Sequence, residues 1–313
     1  MTLKYGSTGL TADAGVFVAI EKGFFREQGI DQRVENFRAI AEMAGPLATG
    51  ELDVVGQPVD MALLNAADRG VSFKIVADRG QSRPNWEFMW ILLRKDLADS
   101  RQVKTPTDLK GMKVATPAKG VLGEQVVQMM LAEANLSPKD IETVYMPFAD
   151  QAAAFGNKAI AAAFAVDPFI ARGVQEGFSA KWLPASKYFG GKVQSGFIIF
   201  GAKMAKDKDL GQRWMLAYLK GVRASLDAFS KREGRSEVVS ILAKYTALKD
   251  PKLYDVMEMP YLDPDAALDS ASVDLQHKWI MDQGIYTGKK TFEDLMDLSF
   301  AEYAAKKLGK WKE

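Results

Sequence analysis

Short apolar runs alternate with amphipathic stretches along most of this chain, which is the pattern of strands alternating with helices in an α/β protein. Residues 2–6 read as a first strand and 13–28 as a helix closed by Gly29, since glycine takes the left-handed turn after a helix without a Cβ penalty. A strand at 32–37 leads to a helix at 39–49, with Met43, Ala44 and Leu47 on or near one face. Residues 52–56 give a short buried strand, 59–68 a helix stopped by Gly70, and 73–77 the next strand. The run 88–94 is the longest strand of this half. The pattern then restarts with a short helix capped by Thr107 or Asp108, strands at 113–116 and 143–146, and helices at 121–135 and 149–156. An Ala-rich run at 159–166 ends as a strand before Asp167-Pro168, and 196–201 matches 88–94 as a pairing partner. Helices at 208–233, 235–246, 265–283 and 291–308 complete the chain.

This order predicts two lobes, one of residues 1–92 with 199–313 and one of 93–198, each built on an open, mostly parallel sheet. Two crossing strands join them and act as a hinge, absorbing a small dihedral change while each lobe stays rigid. A length of 313 residues agrees with two domains of about 100–200 residues each.

Composition mainly excludes. Lys and Arg (41) balance Asp and Glu (40), so nothing concentrates the basic charge that a nucleic-acid partner requires. No apolar run approaches the roughly 20 residues of a membrane-spanning helix. Met1 is followed at once by strand-like sequence, so no signal peptide is seen and the start reads as a processed or trimmed N-terminus, although a cytoplasmic start would look the same. Cysteine is absent, which removes disulfides, thiolate nucleophiles and Cys-ligated zinc. The single histidine, His277, rules out histidine-pair chemistry and is expected on the surface or in the core. No phosphate loop or GxGxxG spacing occurs, and no cofactor is implied.

Four segments carry a resemblance. They are Ala19-Ile20-Glu21-Lys22-Gly23-Phe24-Phe25 with Gly29-Ile30, then Leu47-Ala48-Thr49-Gly50-Glu51-Leu52-Asp53-Val54, then Asp108-Leu109-Lys110-Gly111-Met112-Lys113-Val114, and Ala165-Val166-Asp167-Pro168-Phe169. In this order the chain resembles type II periplasmic substrate-binding proteins of ABC importers, in the nitrate/sulfonate/taurine and thiamine-precursor-binding branch. The resemblance implies the periplasmic-binding-protein-like type II fold, an extracytoplasmic location, a monomer that meets the transporter's membrane subunits transiently, and a small ligand held between the lobes without chemistry. The segments themselves read as structural: Gly23 and Gly29 end helical turns, and Phe24 and Phe25 belong in a core.

Ligands of open α/β sheets sit beyond the carboxyl ends of the strands. That rule, with the resemblance, selects loops. Ser7 and Thr8 precede a helix whose N–H groups can receive an anion, or they only shape the turn. Gln57 offers both a donor and an acceptor. The loop after the strand at 73–77 holds Arg79 and Arg83, either of which can grip a carboxylate or sulfonate or be solvated, and Trp86, able to stack on a flat ligand. Gly120 and Val121 open a helix and form a second candidate anion site. Asp167 accepts from a ligand N–H, or it caps the helix after Pro168. Phe148, Phe169 and Ser195 are wall positions. The expected ligand is a small organic molecule, anionic and aromatic or heterocyclic, because several aromatics and few fixed cations fit bare nitrate poorly. The alternative is a cofactor-independent, dehydratase-like enzyme on the same fold. Related enzymes that make the thiamine pyrimidine or desulfinate aromatic sulfinates use cysteine motifs, which this chain lacks. A cytoplasmic sensor domain is a third reading, disfavoured by the lack of an attached helix-turn-helix.

Overall fold

A computed structural model describes residues 1–284, 286 and 288–312. Ten strands build its two main sheets: β1 (Thr2–Ser7), β2 (Asp31–Asn36), β3 (Val54–Gln57), β4 (Phe73–Asp78), β5 (Met89–Arg94), β6 (Lys113–Thr116), β7 (Glu142–Tyr145), β8 (Ala162–Val166), β9 (Ser179–Pro184) and β10 (Phe197–Gly201). The chain divides into two compact units, Met1–Gln81 with Gln194–Lys249 and Pro260–Glu313, and Ser82–Val193 with Asp250–Met259.

In the first unit the strand order is β2-β1-β3-β10-β4, with β1, β2 and β3 parallel and β10 antiparallel to both neighbours. In the second unit the order is β9-β5-β8-β6-β7, with β6, β7 and β8 parallel and β5 antiparallel to both neighbours. Each sheet is therefore mixed, with four strands running one way and a single strand, β10 or β5, running against them, and the two share one plan. The first parallel strand lies between the second and third, which is a reversal of strand order of the kind that opens a crevice at the carboxyl edge.

The expected pairing of 196–201 with 88–94 does not occur. Each run is long and apolar because it is buried in the middle of a sheet, β10 between β3 and β4 and β5 between β9 and β8. Similar composition is no evidence of mutual pairing. The edge strand β9 is a further element that periodicity missed, while the helix anticipated after Pro168 runs over Phe169–Gln175. β9 hides because Lys181 and Pro184 interrupt its apolar residues and its register slips between Lys181 and Leu183. The predicted helix at 13–28 is two, Ala14–Glu21 and Phe24–Glu27, broken where Gly23 takes φ 79°. The helix expected at 265–283 begins only at Ser270, after an irregular run in which Ala266 takes φ 59°.

The first unit's helical side centres on Trp214, fully buried among Phe25, Phe200 and Tyr218, its indole N–H donating to Gln32 Oε1 at 2.7 Å. Trp214 and Tyr218 lie on the helix Lys208–Leu226, which presses closely on Ala14–Glu21. Gly221 makes that approach possible: a Cβ there would stand 2.0 Å from the Gly15 carbonyl oxygen and 2.9 Å from the Ala19 methyl. The second unit uses small residues likewise, with Ala162, Ala163 and Ala165 of β8 buried and Gly123 admitting the Phe164 ring.

Gly221→Ala is expected to force these helices apart and to destabilise the protein by about 1–3 kcal/mol, the usual cost of overpacking. Urea unfolding reads the effect, and an unchanged midpoint would show that the contact yields freely.

Candidate functional site

Each unit carries its candidate residues on the carboxyl edge of its parallel strands. In the first unit β1 ends at Ser7 and β3 at Gln57, on the two sides of the strand-order reversal, and Ser195 stands two residues before β10. Gln57 pairs in register with Phe197, which brings the Ser195-Gly196 turn beside it.

Beneath this edge lies a network that sequence reasoning missed. Asp13, fully buried in the short turn after β1, accepts from Tyr5 Oη and Ser7 Oγ at 2.5 Å each. Arg79, just beyond β4, donates to both oxygens of the same carboxylate, from Nε at 2.5 Å and from an Nη at 3.0 Å. A fork of this kind is the strongest pairing a guanidinium makes. Burial would lower the Arg79 pKa, but the Asp13 charge outweighs it and raises it, so Arg79 is cationic. Burial first, and then the Asp13 charge, raise the Tyr5 phenol well above its ordinary value, so Tyr5 is a neutral donor. Gly56 lies directly against the cluster, a Cβ there falling 1.9 Å from Tyr5 Oη and 2.4 Å from Arg79 Nε. Its glycine is the one local sign of the network in the sequence.

This cluster decides what the first loop can do. Ser7 is fully buried, gives its hydroxyl hydrogen to Asp13 and receives the Gly9 N–H at 2.9 Å. Its hydroxyl is thus part of the fold's internal bonding, while Thr8 beside it is half-buried. Gln57 is different: only 1% exposed, its side-chain nitrogen and oxygen both lack a hydrogen-bond partner among the described residues. Ser195, half-buried, donates from both N and Oγ to the Gly80 carbonyl.

A second buried carboxylate supports the edge. Asp78, at the end of β4, accepts from Gly80 N at 2.8 Å, Gln194 Nε2 at 2.5 Å and Asp263 N at 2.8 Å. Complete burial pushes its pKa up to about 7, against the pull of those three donors.

In the second unit, Arg83 and Trp86 belong to a tight turn, Arg83-Pro84-Asn85-Trp86. The Trp86 N–H donates to the Arg83 carbonyl at 2.8 Å, and Asn85 takes φ 69°. Proline followed by a residue of positive φ is the type II arrangement. Both side chains are half-buried. Just beyond, the buried Glu87 accepts from Ser82 Oγ at 2.5 Å and from Ser186 Oγ, and burial raises its pKa.

Gly120 and Val121 follow β6 as expected, but the protein's own Glu124 already occupies that helix start. Its carboxylate accepts from Gly120 N and from Tyr145 Oη at 2.6 Å each. Asp167 follows β8, fully buried, one oxygen accepting from Ala171 N at 2.9 Å and the other from Glu258 N at 3.0 Å. Burial lifts its pKa to about 6 while those N–H groups draw it down. Asp167 therefore closes the first turn of the helix Phe169–Gln175 and ties 250–259 to this unit, across a cis bond to Pro168. Phe148 and Phe169 stack with centroids 6.0 Å apart, and Phe148 also meets Phe164 at 6.3 Å. Among the described residues no group of three or more His, Cys, Asp or Glu is arranged to hold a metal ion, and no helix is long and apolar enough to cross a membrane.

A family model described as "NMT1/THI5 like" matches residues 11–228. The chain belongs to this family. Among curated proteins, none matches in sequence. Several solved structures share the fold at low identity. The nitrate-binding protein NrtA from Synechocystis PCC 6803 is 17% identical, with a TM-score of 0.78 over 98% of this chain and 89% of its own. The alkanesulfonate-binding protein SsuA from Xanthomonas axonopodis pv. citri, solved bound to MOPS, is 18% identical, with a TM-score of 0.74 over 95% and 98%. The desulfurization enzyme DSZB, in complex with biphenyl-2-sulfinic acid, is 13% identical, with a TM-score of 0.65 over 98% and 99%. The fold therefore serves binding proteins and at least one enzyme.

Two predictions follow from the buried carboxylates. Asp13→Ala should cost about 3–5 kcal/mol, because it strands the Arg79 charge in the interior. Pairing Asp13→Leu with Arg79→Met should recover much of that loss, and urea unfolding of both variants tests it. Asp78 carries the opposite sign. Its folded pKa of about 7 exceeds the ordinary value of 3.8, so between those limits the folded state binds more protons than the unfolded one. Stability from this group is full below about pH 4 and is lost as pH rises to 7, by a few kcal/mol in all. Asp78→Asn should flatten that slope, and equal slopes in the two proteins would show that Asp78 is ionised throughout.

Proposed function

We propose that this protein is an extracytoplasmic solute-binding protein of an ABC-type importer. It binds a small organic solute, an anion with an aromatic or heterocyclic body, at the carboxyl edges of its parallel strands. Gln57 carries the reading. Leaving a buried amide without hydrogen bonds costs about 1–3 kcal/mol, and a fold keeps such a group where something other than the protein satisfies it. An amide that can donate and accept at a strand-order reversal suits the polar end of a ligand. Within the second unit, the Phe148–Phe169 stack and the half-buried Trp86 are the candidate aromatic surfaces. Thr8 and Ser195 serve as accessory polar contacts. Arg79 is fully engaged by Asp13, so a ligand's charge at the first unit's edge is met by neutral dipoles.

The family supports this reading, as does the shared fold of the nitrate- and alkanesulfonate-binding proteins. The protein works as a monomer that the transporter's membrane subunits recognise transiently. The desulfurization enzyme keeps an enzymatic reading within the fold's range, and the same experiment addresses it.

Protein unfolded, dialysed and refolded should be screened by thermal shift against sulfonates, aromatic carboxylates, pyrimidines, nitrate and amino acids. A ligand at about 100 times its Kd adds about 2.7 kcal/mol and raises Tm by several degrees. Gln57→Leu is expected to weaken the hit at least tenfold while leaving the free protein equally or more stable, because the unpaired amide is gone. Wild-type affinity in that variant would displace Gln57 from the site, and consumption of the hit by mass spectrometry would make the protein an enzyme.

A further inference from the structure

The first unit contains a separate cavity of about 710 Å³, built from the C-terminal segments and lined among others by His277, Phe292, Met296 and Ala301. None of the candidate residues discussed above lines it. Its volume falls within the roughly 300–1,000 Å³ of small-molecule sites.

Three features define its chemistry. Its floor is apolar: Val273, Phe292 and Ala301 are each at most 4% exposed, and Met296 and Leu298 are half-buried. The imidazole of His277 lies 5.1 Å from the Phe292 ring, and its Nε2 is buried without a hydrogen-bond partner. Burial holds His277 below its ordinary pKa although Asp274 and Asp294 oppose the shift, so the ring is neutral and can accept through Nε2. Four carboxylates stand on the rim. Asp265 is paired with Arg223 at 2.8 Å, whereas Asp274, Glu293 and Glu302 are exposed and have no ion-pair partner among the described residues.

We propose that this cavity is a second binding site, taking an amphipathic organic monocation with a primary ammonium on a short aromatic or aliphatic body. The free rim charge is negative, so an anion is repelled and a cation attracted. The carboxylates are not gathered as metal ligands. They surround an apolar floor that a bare inorganic ion would leave unfilled. A neutral imidazole acceptor beside a phenyl ring suits an ammonium, which has three donors and an attraction to aromatic faces. The site is distinct from the strand edges in both position and sign of charge.

The test uses the whole protein, 15N-labelled and titrated with 2-phenylethylammonium, with 2-phenylethanol and 3-phenylpropionate as neutral and anionic analogues of similar shape. Saturable shifts should centre on residues 266–277 and 292–305, and the amine should bind at least tenfold more tightly than either analogue. Asp274→Asn with Glu293→Gln and Glu302→Gln, all at exposed positions, should erase that preference. His277→Phe should weaken the amine several-fold and spare the alcohol. Gln57→Leu should leave amine binding unchanged. Equal affinity for amine and alcohol, undiminished amine binding by the triple variant, or shifts confined to the strand edges would each overturn the proposal.

Discussion

The Asp13–Arg79 pair is the constraint on which the carboxyl edge of the first unit's sheet is built. A guanidinium and a carboxylate, both nearly inaccessible, are tolerable in an interior only when each fully satisfies the other. That requirement fixes the turn after β1, which carries Asp13, against the end of β4, which carries Arg79, with β3 and β10 lying between. Tyr5 and Ser7 complete the carboxylate's bonding from β1, and Gly56 keeps β3 thin enough for the cluster to sit on it. Four strands are thereby registered at one end by polar geometry that tolerates little displacement, whereas apolar packing would allow some slip.

The same pair shapes the electrostatics of the edge. An arginine at the carboxyl end of a strand is an obvious anchor for an acidic ligand, and its position in sequence gives no warning that it is spent. Glu124 plays the complementary part in the second unit, filling with the chain's own carboxylate a helix start that an anion would otherwise suit. Both units have thus neutralised their strongest charge sites internally. Among the candidate residues there remain the Gln57 amide, unpaired among the described residues, the half-buried Arg83 and aromatic surface.

Where the chain runs in simple alternation, the sequence was easy to read. The parallel strands and the helices packed on them follow from periodicity, because half-buried strands and single-sided helices impose it. Two kinds of feature stayed hidden. Pairing of the central antiparallel strands did not follow from composition, since β5 and β10 are both apolar for the same reason and no local signal says which sheet each enters. β9 was missed because an edge strand has one free side and can carry Lys181, a bulge and a proline without penalty. At the site, the loops were legible because strand ends are. The division within them was not: Ser7 and Gln57 look alike as polar residues at strand ends, yet one is consumed by a carboxylate six residues away and the other has no partner. That difference depends on Arg79, which is 66 residues from Asp13 and becomes its neighbour only through the sheet.

Stability and binding are in tension at two places in the first unit. Gln57 keeps an amide desolvated and unbonded, and Asp78 keeps a carboxyl where burial opposes its charge. The two differ in kind. Three donors surround Asp78 and use it to hold Gly80, Gln194 and Asp263 in place, so its cost goes into shaping the loops. No described residue bonds the Gln57 side-chain amide. A packed interior ordinarily removes such a group, because an apolar side chain of similar size would stabilise the fold. A polar residue that the fold would do better without, standing where strand order reverses, is the kind of group the proposed ligand site requires.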